Sequence, residues 1–265
     1  MNNRTLTIKV LQFHVEAGNV DANHAKVEQL LTDAVRTGNK PDVILLPEMW
    51  NTGYALDRIH EIADTDGQRT KRQLSAFSRA HAVTIIAGSI AERSGDDVRN
   101  TSYVFDPRGE IIADYSKIHL FRLMEEEKYL TAGEHTGELQ LDGVPAGLLI
   151  CYDIRFPELT RKLALGGAKL LFVPAQWPKP RLHHWRTLMM ARAIENQMIV
   201  IACNTVGVSN GSEFFGHSMI VDPWGEIVAE AGEDETILET VLDLSLVDEV
   251  RGRIPVFEDR RPQLY

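Results

Sequence analysis

The stretch VFDPRGEIIADY, at residues 104–115, recurs as IVDPWGEIVAEA at residues 220–231. In each copy an apolar, β-forming run precedes the motif Asp-Pro-x-Gly, and a second such run follows it. Because Asp, Pro and Gly favour tight turns, each copy predicts a β-hairpin. Self-similarity of this kind indicates that the chain contains two copies of one structural unit.

Three further pairs of strand-like segments recur in the same order before the two hairpins. They are KVLQFHVE (9–16) with GLLICYDI (147–154), DVILLPE (42–48) with KLLFVPA (169–175), and TIIAGS (84–89) with VIACNT (200–205). The order predicts two β-α-β-α-β-β halves, joined by residues 116–145.

Helical patterns fill the intervals between these strands. The predicted helices cover residues 21–37, 68–82, 157–165 and 181–197. The third starts with Pro157, which suits a first helical turn, and stops before the Gly166-Gly167 pair. The strands are near-continuous apolar runs, which indicates that both of their faces are covered.

The fold class predicted from this pattern is α/β, as a four-layer α-β-β-α sandwich made of the two halves. We expect a single domain over residues 1–265, since no low-complexity segment or long linker divides the chain. The tail, from about residue 245 to residue 265, should pack on this body or on a partner subunit.

Composition excludes several classes of partner. The formal net charge is −10, so the chain should repel a nucleic-acid backbone. No apolar run reaches membrane-spanning length, and the N-terminus lacks the layout of a signal peptide. There are two cysteines and no CxxC motif, which favours a reducing, cytoplasmic location.

Three reactive side chains fall at the ends of predicted strands or on the loops beside them. Glu48 ends DVILLPE, Cys151 ends GLLIC, and Lys117 follows the first hairpin. Taken alone, each has an ordinary structural interpretation: a capping or salt-bridged carboxylate, a small core thiol and a solvated lysine. In open α/β sheets, however, ligands bind at the carboxyl ends of the strands, and such ends share one edge.

Together the three groups form a complete set for acyl transfer. The carboxylate accepts the thiol proton, the thiol attacks a carbonyl carbon, and the ammonium stabilises the oxyanion. The backbone N–H of Tyr152 is a second candidate donor to that oxyanion. The other cysteine, Cys203, follows an apolar run and is predicted to be a core residue.

Three segments resemble the signatures of the nitrilase superfamily, the carbon–nitrogen hydrolases. They are LLPEMWNTGY (45–54), YSKIHLF (115–121) and ICYDIRFPEL (150–159). The resemblance implies an α-β-β-α sandwich that pairs into homodimers, with Glu48 as general base, Lys117 as oxyanion donor and Cys151 as nucleophile. It also implies a second glutamate within LMEEEKYLTAG (123–133), where the family register selects Glu126.

The resemblance is greatest to the omega-amidase branch, through CYDIRFPEL and the C-terminal segment. It implies hydrolysis of the terminal amide of a 2-oxo dicarboxylate monoamide through a Cys151 thioester. Arg155 would bind the substrate carboxylate, and Trp177 and Tyr54 would line the pocket. The alternative for Arg155 is an ion pair with Glu158 or Asp153, and both aromatic residues could belong to the core.

Two other functions stay open from the sequence. One is hydrolysis of an N-carbamoyl amine or amino acid by the same site. The other, of a different class, is a non-catalytic or redox-sensing binding protein that uses Cys151 as a thiol. We expect no metal and no cofactor, because the chain has no HExxH motif and His183 and His184 fit a helix surface.

Overall fold

Two β-sheets carry the fold of the computed structural model, which describes residues 5–264. In chain order the strands are β1 (Thr5–Gln12), β2 (Val43–Leu45), β3 (Asp64–Thr65), β4 (Thr84–Ile86), β5 (Ile90–Ser94), β6 (Asp97–Phe105), β7 (Ile111–Ser116), β8 (Gly137–Leu141), β9 (Val144–Leu148), β10 (Leu170–Pro174), β11 (Ile199–Cys203), β12 (Val206–Ser209), β13 (Ser212–Phe215), β14 (Met219–Val221), β15 (Ile227–Glu230) and β16 (Thr236–Asp243). The α-helices are α1 (Val20–Arg36), α2 (Ile59–Ile62), α3 (Gln68–His81), α4 (Pro157–Leu165), α5 (Leu182–Asn196) and α6 (Ser245–Arg253).

The two sheets repeat one topology. The order β1-β2-β4-β6-β7 in the first sheet matches β9-β10-β11-β14-β15 in the second. In each sheet the first three strands pair in parallel, and the last two pairings are antiparallel. The predicted α/β class and its two-fold repeat are therefore confirmed.

The two predicted hairpins close with the same turn. In the first, the N–H of Gly109 donates to the carbonyl of Asp106, and the Asp106 carboxylate accepts the N–H of Glu110. In the second, Gly225 donates to Asp222, whose carboxylate accepts the N–H of Glu226. Because the aspartate side chain caps the turn and the glycine takes a positive φ, the repeated Asp-Pro-x-Gly motif produces one geometry twice.

The four predicted helices occur as α1, α3, α4 and α5, with ends shifted by at most one residue. The structure adds elements that the repeat did not predict. Strands β3, β5 and β16 extend the first sheet, β8 extends the second, and β12 and β13 form a separate hairpin. Strands β16 and β8 hold matching places, since each pairs antiparallel with the first repeated strand of its sheet, but the segments compared in the sequence did not include them.

Successive side chains of a strand point to opposite faces of its sheet, and this decides which layer each one contacts. Ile8 and Val10 of β1 join a core shared with Leu148 of the second sheet. Leu11, on the opposite face, packs in a separate cluster with Leu31 of α1. Helices α4 and α5 contact β9 and β11 of the second sheet. The layering is consistent with the predicted four-layer sandwich.

The C-terminal segment packs on this body as far as residue 264. Val247 and Val250 of α6 are buried. Arg251 donates to the carbonyls of Ala168 and Gln197 at 2.6 and 3.1 Å. The last residue of the predicted tail lies outside the described residues. Between residues 5 and 264, no helix combines the length and the apolar character needed to cross a bilayer.

A close backbone contact fixes the loop that follows β2. Gly88 has φ +62°, and a Cβ there would lie 2.0 Å from the carbonyl oxygen of Pro47, next to Glu48. Gly95 provides a matched control, since its φ is +60° but a Cβ would meet nothing within 4 Å.

We predict that Gly88→Ala loses at least about 2 kcal/mol more unfolding free energy than Gly95→Ala. Both variants strain φ by a similar amount, but only the first also forces a clash with main chain. Urea denaturation monitored by circular dichroism measures the difference. Equal losses for the two variants would contradict the proposed contact.

Candidate active site

The side chain of Glu48 is buried just after β2 and both of its carboxylate oxygens are engaged. Its Oε1 accepts hydrogen bonds from Asn100 Nδ2 and Lys117 Nζ, each at 2.9 Å. Its Oε2 accepts the backbone N–H of Gln176 at 2.8 Å. The Gln176 side-chain amide returns to the Glu48 carbonyl at 2.8 Å, so the loop after β10 is joined to the loop after β2.

Lys117 lies just after β7, where its backbone N–H donates to the carbonyl of Asn100 at 2.9 Å. Its Nζ lies 2.9 Å from Glu48 Oε1 and 2.8 Å from Glu126 Oε1. All three side chains are inaccessible to solvent. One buried ammonium is therefore shared between two buried carboxylates.

Glu126 reaches this cluster from a short 3₁₀ turn. Its Oε1 also accepts the Tyr54 hydroxyl at 2.9 Å, and its Oε2 accepts the backbone N–H of Phe121 at 2.9 Å. Glu125 and Glu127 on either side are exposed, and Glu125 pairs with Lys128. Of the three consecutive glutamates, the structure brings the one predicted from the family register to the lysine.

Burial and mutual attraction set the protonation of the cluster. Burial alone would lower the pKa of Lys117, but the charges of Glu126 and Glu48 outweigh it and raise that pKa well above its usual value. Burial raises the pKa of Glu126, and repulsion from Glu48 adds to this, while Lys117 opposes both. Lys117 therefore stays charged at neutral pH.

Cys151 is placed by a strained backbone at the end of a strand. The chain leaves β9, and Cys151 takes φ +48° at the start of a 3₁₀ turn, Cys151–Arg155. Such a φ is unfavourable for a non-glycine residue and is often found at functional sites. The Sγ lies 3.9 Å from the carbonyl oxygen of Gln176, which is also the residue that binds Glu48.

Cys151 is a buried residue, and its thiol is held in the protonated form. Burial raises its pKa well above the usual value, and the negative charge of Glu48 raises it further. The positive charge of Lys117 acts in the opposite direction without reversing the shift. The N-terminus of the neighbouring helix α4 therefore does not produce a resting thiolate.

The other predicted site residues surround a narrow cleft beside Cys151. Tyr152, Arg155, Trp177 and Tyr54 all line it. Tyr54 donates a hydrogen bond to Glu126 and also belongs to a buried apolar cluster, so it both lines the cleft and packs in the core.

Arg155 is held by an aromatic ring and not by an acid. Its guanidinium lies 4.7 Å from the centre of the Trp177 ring, and Nη2 is 3.3 Å from His184 Nδ1. Between residues 5 and 264 it forms no ion pair, with Glu158 or with any other carboxylate. The indole N–H of Trp177 donates to the carbonyl of Arg181 at 3.1 Å, which fixes the ring under Arg155.

Asp153, the alternative partner of Arg155, instead connects two segments of the site. Its buried carboxylate accepts the Tyr115 hydroxyl at 2.7 Å and the backbone N–H of His119 at 3.0 Å. It also accepts the backbone N–H of Ile150 at 3.0 Å. The segment that carries Lys117 is thereby fastened to the turn that carries Cys151.

Sequence reasoning missed Asn100 and Gln176, and it considered Asp153 only as an ion-pair partner of Arg155. Gln176 had a signal, because it follows a buried strand closely, as Glu48 does. Asn100 had none, since it lies inside β6 and its partner is remote in sequence. His183 and His184 are exposed on α5, as predicted, and Cys203 is fully buried. Across residues 5–264 no group of three or more metal-ligating side chains was found.

Comparison with known proteins places the chain in a family. The family model described as carbon–nitrogen hydrolase matches residues 7–252. The chain is 48% identical over 259 residues to "2-oxoglutaramate amidase" of Bacillus subtilis (strain 168), covering 98% of this chain and 99% of that protein. It is 31% identical to "Omega-amidase NIT2" of Mus musculus, covering 98% and 97%.

Solved structures of similar proteins have nearly the same fold as this chain. A carbon–nitrogen hydrolase from Helicobacter pylori G27 superposes with a TM-score of 0.92 at 27% identity, over 99% of this chain and 97% of that one. Saccharomyces cerevisiae Nit3, described as a member of branch 10 of the nitrilase superfamily, gives 0.89 at 28% identity, over 95% of each chain. The similarity extends over nearly the whole chain in both sequence and fold, and the chain therefore belongs to the carbon–nitrogen hydrolase family.

Proposed function

We propose that the protein is an omega-amidase: a thiol amidohydrolase that releases ammonia from the terminal amide of a 2-oxo dicarboxylate monoamide. The observation that carries this proposal is the shared ammonium of Lys117, which lies between Glu48 and Glu126 at a cleft lined by Cys151. The relatives named as 2-oxoglutaramate amidase and omega-amidase support the choice of substrate.

In the acylation half-reaction, Glu48 takes the Cys151 proton as sulfur attacks the amide carbon. The developing oxyanion is stabilised by Lys117 and the backbone N–H of Tyr152, donors that are typically worth roughly 3–4 kcal/mol each. Glu48 then gives the proton to the leaving nitrogen, the carbon–nitrogen bond breaks and ammonia departs. A thioester on Cys151 remains.

In the deacylation half-reaction, Glu48 removes a proton from a water molecule that attacks the thioester carbon. The tetrahedral intermediate collapses, sulfur leaves and recovers the proton through Glu48, and the acid is released. Glu126 holds Lys117 in place throughout by its hydrogen bond at 2.8 Å. Arg155, supported by the Trp177 ring, binds the substrate carboxylate at the far end of the cleft.

The proposal extends to the assembly and the setting of the enzyme. Large apolar side chains are exposed on α4, on α5 and just after α6: Leu165, Ile194 and Ile254. We propose that a second copy of the chain covers these side chains in a homodimer. Two free cysteines fit a cytoplasmic location, and the acidic charge fits an enzyme of small molecules without nucleic-acid or membrane partners. We also propose that the whole chain is one hydrolase domain.

We predict that the wild-type enzyme releases ammonia from 2-oxoglutaramate faster than from glutamine or an N-carbamoyl amine. Cys151→Ala should lose at least about a thousand-fold in kcat/KM, because it removes the nucleophile. Coupled ammonia detection over such a panel measures both quantities. Cys203→Ala is the matched control: this thiol is buried away from the cleft and its loss should leave turnover intact.

Each other outcome identifies a different function. Carbon dioxide released together with ammonia would identify an N-carbamoyl substrate. No ammonia from any amide, in a folded protein whose Cys151 oxidises reversibly, would favour the redox-sensing or binding alternative over an enzyme.

We predict that Cys151 is alkylated by iodoacetamide at a rate that rises about tenfold per pH unit from about pH 6 to about pH 9, with no plateau. The reason is that burial and Glu48 raise the pKa of this thiol, so that the thiolate is a minor form throughout that range. Mass spectrometry of the Cys203→Ala protein follows Cys151 alone. Equal rates at the two ends of the range would show a preformed thiolate and overturn proton transfer during attack.

A further inference from the structure

A second arginine faces the cleft beside Cys151. Arg181 lies directly before α5 and lines the cleft together with Arg155. Its guanidinium lies 5.6 Å from the centre of the Phe121 ring, and its carbonyl accepts the indole N–H of Trp177 at 3.1 Å. The same carbonyl accepts the backbone N–H of Trp185 at 3.1 Å, so the backbone of Arg181 is fixed by α5.

Neither guanidinium is neutralised within the described chain. Over residues 5–264 no carboxylate forms an ion pair with Arg155 or Arg181. Lys179, two positions earlier on the same loop, behaves differently: its ammonium is paired with Glu213 at 2.7 Å and the residue does not line the cleft. On this loop, Lys179 is paired with a carboxylate and lies outside the cleft, whereas Arg181 has no such partner and lines the cleft.

Arg155 and Arg181 carry like charges and line the same small cleft. Burial lowers the pKa of Arg155; negative charge at Cys151 and Tyr152 would raise it, and the positive charge of Arg181 acts in the lowering direction. Like charges that face one small space are stabilised when an anion lies between them. The arrangement therefore calls for an anionic group of the ligand at this end of the cleft.

The two arginines differ in the donors they still offer. Arg155 has one face on the Trp177 ring and one nitrogen against His184. Arg181 makes no side-chain hydrogen bond within the described residues, so its whole fork of donors is free. The remaining N–H groups along one edge of the Arg155 guanidinium are enough to bind a carboxylate. The N–H groups of Arg181 can then donate to further oxygen atoms of the ligand.

We propose that Arg181 is a specificity-determining residue which, with Arg155, binds the 2-oxo carboxylate end of the substrate. This inference rests on the proposed omega-amidase function and assigns a residue to its selectivity. A 2-oxo acid offers three oxygens in one plane, two from the carboxylate and one from the ketone. A saturated dicarboxylate monoamide offers only the carboxylate, which Arg155 already binds, so Arg181 favours the 2-oxo compound.

The experiment compares kcat/KM for 2-oxoglutaramate and for glutaramate, which differ only in the 2-oxo group. We expect Arg181→Gln to lower kcat/KM for 2-oxoglutaramate by about 10- to 100-fold, mainly through KM, since charge-assisted hydrogen bonds to the ground state are lost. The ratio of the two kcat/KM values should fall at least about fivefold. Lys179→Gln removes a positive charge from the same loop and should keep the ratio.

A conservative variant and a binding measurement separate this role from a structural one. Arg181→Lys keeps the charge but loses the planar fork, so the 2-oxo preference should fall while affinity for both acids is partly retained. It also replaces Arg181→Gln should that variant fail to fold. In a Cys151→Ala background, calorimetry should show weaker binding of 2-oxoglutaramate when Arg181 is also changed to Lys.

An unchanged ratio in both Arg181 variants would overturn the inference while leaving the omega-amidase function intact. An equal fall in Lys179→Gln would also overturn it, because a general loss of charge would then explain the effect. Wild-type enzyme that hydrolyses neither compound would overturn the proposed function itself, and this inference with it.

Discussion

The ammonium of Lys117 lies between the carboxylates of Glu48 and Glu126, and no solvent reaches any of the three. Removing two carboxylates and an ammonium from water is costly, and the cost is recovered only when each charge faces another at hydrogen-bonding distance. These side chains come from the loops after β2 and after β7 and from a 3₁₀ turn. Their pairing therefore fixes how three separate segments of the chain meet.

Charge balance also explains the state of the nucleophile. Burial raises the pKa of the Cys151 thiol most, and the negative charges of Glu48 and Glu126 add to this while Lys117 opposes it, so the thiol keeps its proton. A site of this kind depends on proton transfer during attack and not on a resting thiolate. Arg155 and Arg181, which line the same cleft as Cys151, carry the opposite charge. The site thus combines a buried acidic cluster with two cationic side chains.

Much of the fold and the centre of the site could be predicted from the sequence. The Asp-Pro-x-Gly repeat predicted the hairpins because the turn is local, and strand ends predicted where Glu48 and Cys151 would meet. Asn100 could not be foreseen, since it is one polar residue within a strand and its partner is remote. The same holds for Asp153, whose place in ICYDIRFPEL gives no indication that it binds Tyr115 and so connects it to the turn that carries Cys151. Contacts that depend on loop geometry produce no periodic pattern in the sequence.

The most direct test measures the unfolding free energy of two variants. Lys117→Met leaves two buried carboxylates without a cation and should lose roughly 3–5 kcal/mol. Combining it with Glu48→Gln and Glu126→Gln removes all three charges and should recover most of that loss, while ammonia release stays absent. A Lys117→Met protein as stable as wild type would contradict the view that this shared ammonium holds the site together.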